Sequence, residues 1–123
     1  MSVPRVIIAG VEPGPAIDLV AGALLAGYGE QRATRGVLLG FDLPLWRLAY
    51  DVGARAPRVI DPVLHPPAVA DELFAHWVER MDLAVVVAVR PLLDSWDAVK
   101  GSRGSDAARR LDAPVVLVVD ARG

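Results

Sequence analysis

Cysteine is absent from the chain, which excludes disulfides, thiolate metal ligands and a cysteine nucleophile among these residues. Lysine is nearly absent: Lys100 stands alone against twelve arginines. The arginines are scattered (Arg5, Arg32, Arg47, Arg58, Arg80, Arg90), and only Arg109 and Arg110 are adjacent, so they form a compositional bias rather than a patch for a polyanion. With a formal net charge of -2, the sequence predicts no nucleic-acid partner. Charged residues make up only 23% against 54% hydrophobic, which excludes disorder. No apolar run reaches membrane-spanning length before a turn or a charge breaks it, and the N-terminus lacks a signal peptide's charged region and cleavage site. The expectation is therefore a cytoplasmic protein with no membrane partner.

What the chain does have is an organising stretch near its start. Val6-Ile7-Ile8-Ala9-Gly10 is followed by a turn, Val11-Glu12-Pro13-Gly14-Pro15, and then by an apolar, Ala-rich run. A buried strand, a Gly-bearing turn and a helix start are the layout by which α/β proteins hold phosphate on backbone amides. The layout is present and the chemistry is missing. A working phosphate loop needs Gly-Lys-Ser/Thr before the helix, and here Ala16-Ile17-Asp18 follows two prolines that remove amide donors. Glu12 and Asp18 also put negative charge where the helix dipole would attract phosphate.

The 123-residue chain reads as one domain of strands alternating with helices. Strands are predicted at 3–9, 36–40, 83–89 and 114–119, all nearly continuous in Val, Ile, Leu and Ala, as in strands buried on both faces. Helices are predicted at 15–28, 43–52, 67–81 and 106–111. The helix at 67–81 places Ala70, Leu73, Phe74, Trp77, Val78 and Met81 on an apolar face, with Glu72, His76, Glu79 and Arg80 toward solvent. The proline-rich stretch 53–67 reads as an irregular crossing in which Arg58-Val59-Ile60 is a candidate extended piece. The fold class that follows is α/β, an open, mainly parallel three-layer sheet of about four strands covered by helices, with the first strand interior.

These residues carry a resemblance. Val6-Ile7-Ile8-Ala9-Gly10 before its turn, Asp61-Pro62, Asp82-Leu83-Ala84-Val85-Val86 with Asp94 after it, and the segment from Ala113 through Pro114, Val119 and Asp120 to Gly123 resemble the N-terminal ATP-dependent domain of cobyrinic acid a,c-diamide synthase. That family is related to dethiobiotin synthetase and the MinD-like nucleotide-binding group, and it activates carboxylates with ATP for amidation in cobalamin biosynthesis. The resemblance runs over the whole chain but covers only the beginning of the family architecture, without its remaining strands or its glutaminase domain. It implies a degenerate, truncated P-loop domain.

Taken position by position, the resemblance implies heavy losses. The family's Gly-Lys-Thr is Ala16, Ile17 and Asp18 here, so the phosphate lysine and the Mg²⁺-binding hydroxyl are gone. A Lys-Val-Gly-Pro-Asp pattern after the second strand becomes Leu38-Leu39-Gly40-Phe41-Asp42, keeping the Gly and the Asp but losing the Lys. The Glu-Gly pair ending the third family strand, whose Glu serves the metal, becomes Val87-Ala88. What remains as a weak, degenerate cofactor site is Gly10, Gly14, Asp42 and Asp94. Hydrogen bonds to charged groups are worth about 1.5–3 kcal/mol each, so three losses remove about 5–9 kcal/mol, comparable with the ~8 kcal/mol of a micromolar complex. ATP and Mg²⁺ binding are expected to be lost, with no catalytic or metal-ligating residue left.

Other candidates have plain structural readings beside them. Glu72, His76 and Glu79 at helical spacing suit a metal and equally a solvated face. His65 beside Pro66-Pro67 reads as a loop residue, and Trp46, Trp77 and Trp96 as pocket walls for a planar ligand or as core, with Trp96 near Asp94 and Asp97 the functional candidate. Three functions stay open: a non-catalytic binding or accessory subunit, a contributor of Asp42 and Asp94 to an ATP-dependent amidoligase site completed by a partner chain, or an inactive fragment. The apolar strand Val115-Val116-Leu117-Val118-Val119 reads as an unguarded edge, and a homodimer or hetero-oligomer through 114–119 is expected.

Overall fold

A computed structural model describes residues 3–11, 16–30, 32–40, 42–52, 57–61, 64–90 and 104–119. In chain order these form β1 (Arg5–Gly10), α1 (Ala16–Gly29), β2 (Thr34–Leu39), α2 (Leu43–Val52), β3 (Arg58–Ile60), α3 (Pro67–Val78), β4 (Leu83–Ala88), α4 (Gly104–Leu111) and β5 (Val115–Val118). The strands make one sheet of order β3-β2-β4-β1-β5, every pairing parallel, with β1 interior as its sequence requires.

The sheet has five strands where the sequence predicted about four. The addition is β3, which pairs Val37 with Arg58 and Leu39 with Ile60. Three residues are too few for a periodic signal, and tertiary contacts make this strand: Ile60 is buried, and its carbonyl accepts the Gly40 amide at 2.7 Å. Gly40 has φ 98°, a conformation open to glycine and strained for other residues, which is what this position at the end of β2 needs.

Right-handed crossovers then decide the layers. The connections β1 to β2 and β2 to β3 run toward one edge of the sheet and put α1 and α2 on one face. The connections β3 to β4 and β4 to β5 run back and put α3 and α4 on the other. Successive side chains of the central strands therefore go to opposite cores. Ile7, Ala9, Val37, Val86 and Ala88 meet Ala70, Phe74, Val78, Ala107 and Leu111 of α3 and α4. Ile8, Leu38, Val85 and Val87 meet Ile17, Ala21, Leu25, Leu45 and Ala49 of α1 and α2.

At the strand starts, polar groups tie the layers. Arg5 donates from Nε to the Val3 carbonyl at 2.9 Å and from Nη1 to the Leu111 carbonyl at 3.3 Å, with its guanidinium 5.1 Å from the Phe74 ring centroid. Asp82 clamps β4 to the approach of β2: its amide donates to the Ala33 carbonyl at 2.7 Å, and its Oδ2 accepts the Ala33 amide at 3.0 Å. After α4, Asp112 takes φ 50° while the Ala113 amide reaches the Ala108 carbonyl at 3.0 Å, the six-to-one closure that ends a helix. The third helix stops at Val78, short of the predicted residue 81; beyond it the Met81 amide bonds back to the Val78 carbonyl at 3.0 Å in a tighter turn. Among the described residues no helix is long and apolar enough to cross a membrane.

Phe74 is the largest of the fully buried side chains and carries both the α3 packing and the Arg5 contact. Phe74→Ala is expected to cost about 3–5 kcal/mol, a large part of the roughly 5–15 kcal/mol total of an ordinary domain, read from the shift in urea midpoint.

Candidate functional site

Open α/β sheets bind ligands beyond the carboxyl ends of two neighbouring strands whose connections leave on opposite faces. Here those strands are β1 and β4. Their pairing ends at Ile8 with Val87, earlier than β2 with β4 (Leu39 with Ala88) or β1 with β5 (Gly10 with Val118). Past that point the Val89 amide bonds outward to the Leu39 carbonyl at 3.1 Å and the Val11 amide to the Val118 carbonyl at 3.2 Å. Val11 and Val89 thus bond to the outer neighbours of β1 and β4 and not to each other.

Of the sequence-predicted site residues, Gly10 lies buried at the end of β1, at this switch point. Gly14 and Asp94, like Trp96 and Asp97, lie outside the described residues. Asp42 serves the backbone. Its Oδ1 accepts the Leu45 amide at 2.8 Å and its carbonyl accepts the Trp46 amide at 2.8 Å, which makes it the N-cap of α2.

The three positions that carry charge in the resembled family converge in a different way. Ile17, Leu38 and Val87, at 5%, 0% and 0% exposure, belong to one apolar cluster between the sheet and α1/α2. The positions that the resemblance aligns with two lysines and a glutamate hold apolar neighbours in this core. Each substitution is visible in the sequence, but their convergence is a property of the fold.

Sequence reasoning also missed a carboxylate pair. Asp18, in the first turn of α1, is half-buried, and its carboxyl is pushed above the ordinary value of 3.8 first by burial and then by the Asp42 charge. The two residues follow β1 and β2, strands separated in the sheet by β4, so chain distance gave no hint of their coupling. Near the switch point the described side chains therefore offer apolar surface and negative charge, a poor match to phosphate.

The remaining candidates are structural where described. Trp46 packs on the α1/α2 core and stacks on Tyr50 at 5.3 Å, and Trp77 packs against the α3/α4 core. His65 is a turn residue whose Nδ1 accepts the Asp61 amide at 2.9 Å. His76 is exposed, and among the described residues no group of three or more His, Asp or Glu is gathered as a metal site.

Because the folded-state pKa of Asp18 is raised, its neutral form favours the fold, and that contribution is complete below the unfolded value and lost as pH rises through the folded one. Asp18→Asn is therefore expected to match the parent below pH 3.8 and to melt progressively higher than it as pH rises toward neutral. Asp42→Asn, which keeps a capping acceptor, is expected to lower the Asp18 pKa in a carboxyl NMR titration.

No protein-family model matches the chain. Curated relatives do. The hydrogenobyrinate a,c-diamide synthase of Mycobacterium tuberculosis is 43% identical over 74 aligned positions, covering 56% of this chain and 16% of the relative. That of Streptomyces coelicolor is 35% identical over 130 positions, covering 98% of this chain and 25% of the relative. The cobyrinate a,c-diamide synthase of Limosilactobacillus reuteri is 28% identical over 120 positions, covering 96% and 26%. The chain thus spans about a quarter or less of the length of these relatives. It is a homologue, over that portion of their length, of the cobyrinate and hydrogenobyrinate a,c-diamide synthases.

Proposed function

We propose that this chain is a non-catalytic binding or accessory member of the a,c-diamide synthase relationship, a cytoplasmic protein that keeps the sheet of an ATP-handling domain without its nucleotide chemistry. One observation carries the reading: Ile17, Leu38 and Val87, which stand where the resembled family has its two lysines and its metal-serving glutamate, are packed together in the α1/α2 core. Polar groups there would need partners that this cluster does not contain. Asp18 and Asp42 add repulsion toward phosphate. The alternative, a site completed by a partner chain through Asp42 and Asp94, is weakened at Asp42, whose carboxylate already caps α2.

Titration calorimetry with ATP and Mg²⁺ is expected to show no micromolar complex, and no hydrolysis is expected over the uncatalysed rate. A micromolar, Mg²⁺-dependent complex would overturn the reading. Combining Ala16→Gly, Ile17→Lys and Asp18→Thr is expected to lower the melting temperature, since an ammonium must enter the Ile8/Leu38/Val87 cluster. The same variant should gain no turnover, because Leu38 and Val87 remain. Clear ATPase activity in it would show that the core can yield a site.

A further inference from the structure

β3 is a three-residue strand at one edge of the sheet, and its last peptide group faces two ways. The Ile60 carbonyl accepts the Gly40 amide at 2.7 Å and so points inward, toward the end of β2. In a trans peptide the C=O and the following N–H point in opposite directions, which turns the Asp61 amide to the outer side of the edge. A side chain takes up that outward donor: the Asp61 amide donates to Nδ1 of His65 at 2.9 Å. The contact is reinforced by the backbone, because the Leu64 and His65 amides donate to the Asp61 carbonyl at 3.1 and 2.7 Å. His65 is half-buried in this position.

A ring nitrogen that accepts a hydrogen bond carries no proton, so the imidazole is neutral here, with its hydrogen on Nε2. Protonation would put a second N–H against the Asp61 N–H, and the bond cannot survive it. Histidine is the side chain whose charge ordinarily changes between about pH 5 and 8. Nearby structure has little to replace the lost bond: β3 is short, and α3 begins at Pro67 behind Pro66 with no side-chain cap. We propose that His65 is a pH-responsive pin on the outer edge of β3, whose neutral ring holds Asp61 and whose protonation frees the edge amide at the junction of β3 and α3. The charged groups on the described elements around this junction are Arg58 and Asp61, Arg35 on β2, Asp42 beyond Gly40, and Asp71, Glu72 and His76 on α3, with Asp71 bridged to Arg110 at 3.3 Å. Titration of these groups is the competing source of pH dependence. The pin is independent of the accessory reading, since it involves neither nucleotide nor partner.

Amide hydrogen exchange followed by NMR, corrected for the intrinsic pH dependence of exchange, tests it together with the nitrogen shifts of the His65 ring. Between about pH 7.5 and about pH 5.5 the protection of the Asp61 amide is expected to fall about tenfold, while that of Val86 in the central sheet stays level. At the upper pH the ring is expected to carry its proton on Nε2. His65→Gln, whose side-chain oxygen accepts the same bond without titrating, is expected to keep the Asp61 protection level across the range. His65→Ala is expected to show the low value at both ends. Level protection in the parent, a proton on Nδ1 at the upper pH, or full protection in His65→Ala would each overturn the proposal. An equal fall in His65→Gln would also overturn it, by assigning the pH dependence to the surrounding charged groups.

Discussion

The structure depends on the pairing of β1 with β4 at the centre of the sheet. Ile7, Ile8, Ala9, Val85, Val86 and Val87 are apolar at every position, so neither face of this pair tolerates water. Helices must cover both faces, and right-handed crossovers allow that only if the chain winds to one edge and then returns. The switch point between β1 and β4 is a consequence of this burial. It exists whether or not a ligand uses it.

The packing around the switch point is continuous with the rest of the core. The same alternation that sends Val85 and Val87 into the α1/α2 core also brings in Leu38 and Ile17, and the cluster closes without a polar atom among its buried side chains. What is left at the helix starts is carboxylate: Asp42 is engaged with the α2 amides, and Asp18 is held above the usual range. The scaffold is preserved because packing is cooperative across many residues. The positions that the resemblance assigns to phosphate chemistry are few, and Ile17, Leu38 and Val87 fill them with close core packing.

The open rim of the sheet follows from the same geometry. Among the described residues β5 has one strand neighbour, β1, and its valines and leucine carry the composition of an interior strand while Val115, Val116 and Leu117 are exposed.

By itself the sequence determined the α/β class, the parallel sheet and the interior place of the first strand, because continuous runs such as Leu83-Ala84-Val85-Val86-Val87-Ala88 admit few other environments. It also showed that the first helix opens on Ala16-Ile17-Asp18 and not on a Gly-Lys-Ser/Thr triplet, since residue identity is legible position by position. Tertiary structure alone decided the rest. The strand Arg58–Ile60 exists through its pairing with β2 and the Gly40 bond to Ile60, and three residues hold no period to read. Asp42 is a cap because α2 begins there, and Asp18 feels it because the sheet brings two distant helix starts together. The convergence of Ile17, Leu38 and Val87 likewise belongs to the fold, because burial is a relation among distant segments and no local pattern records it.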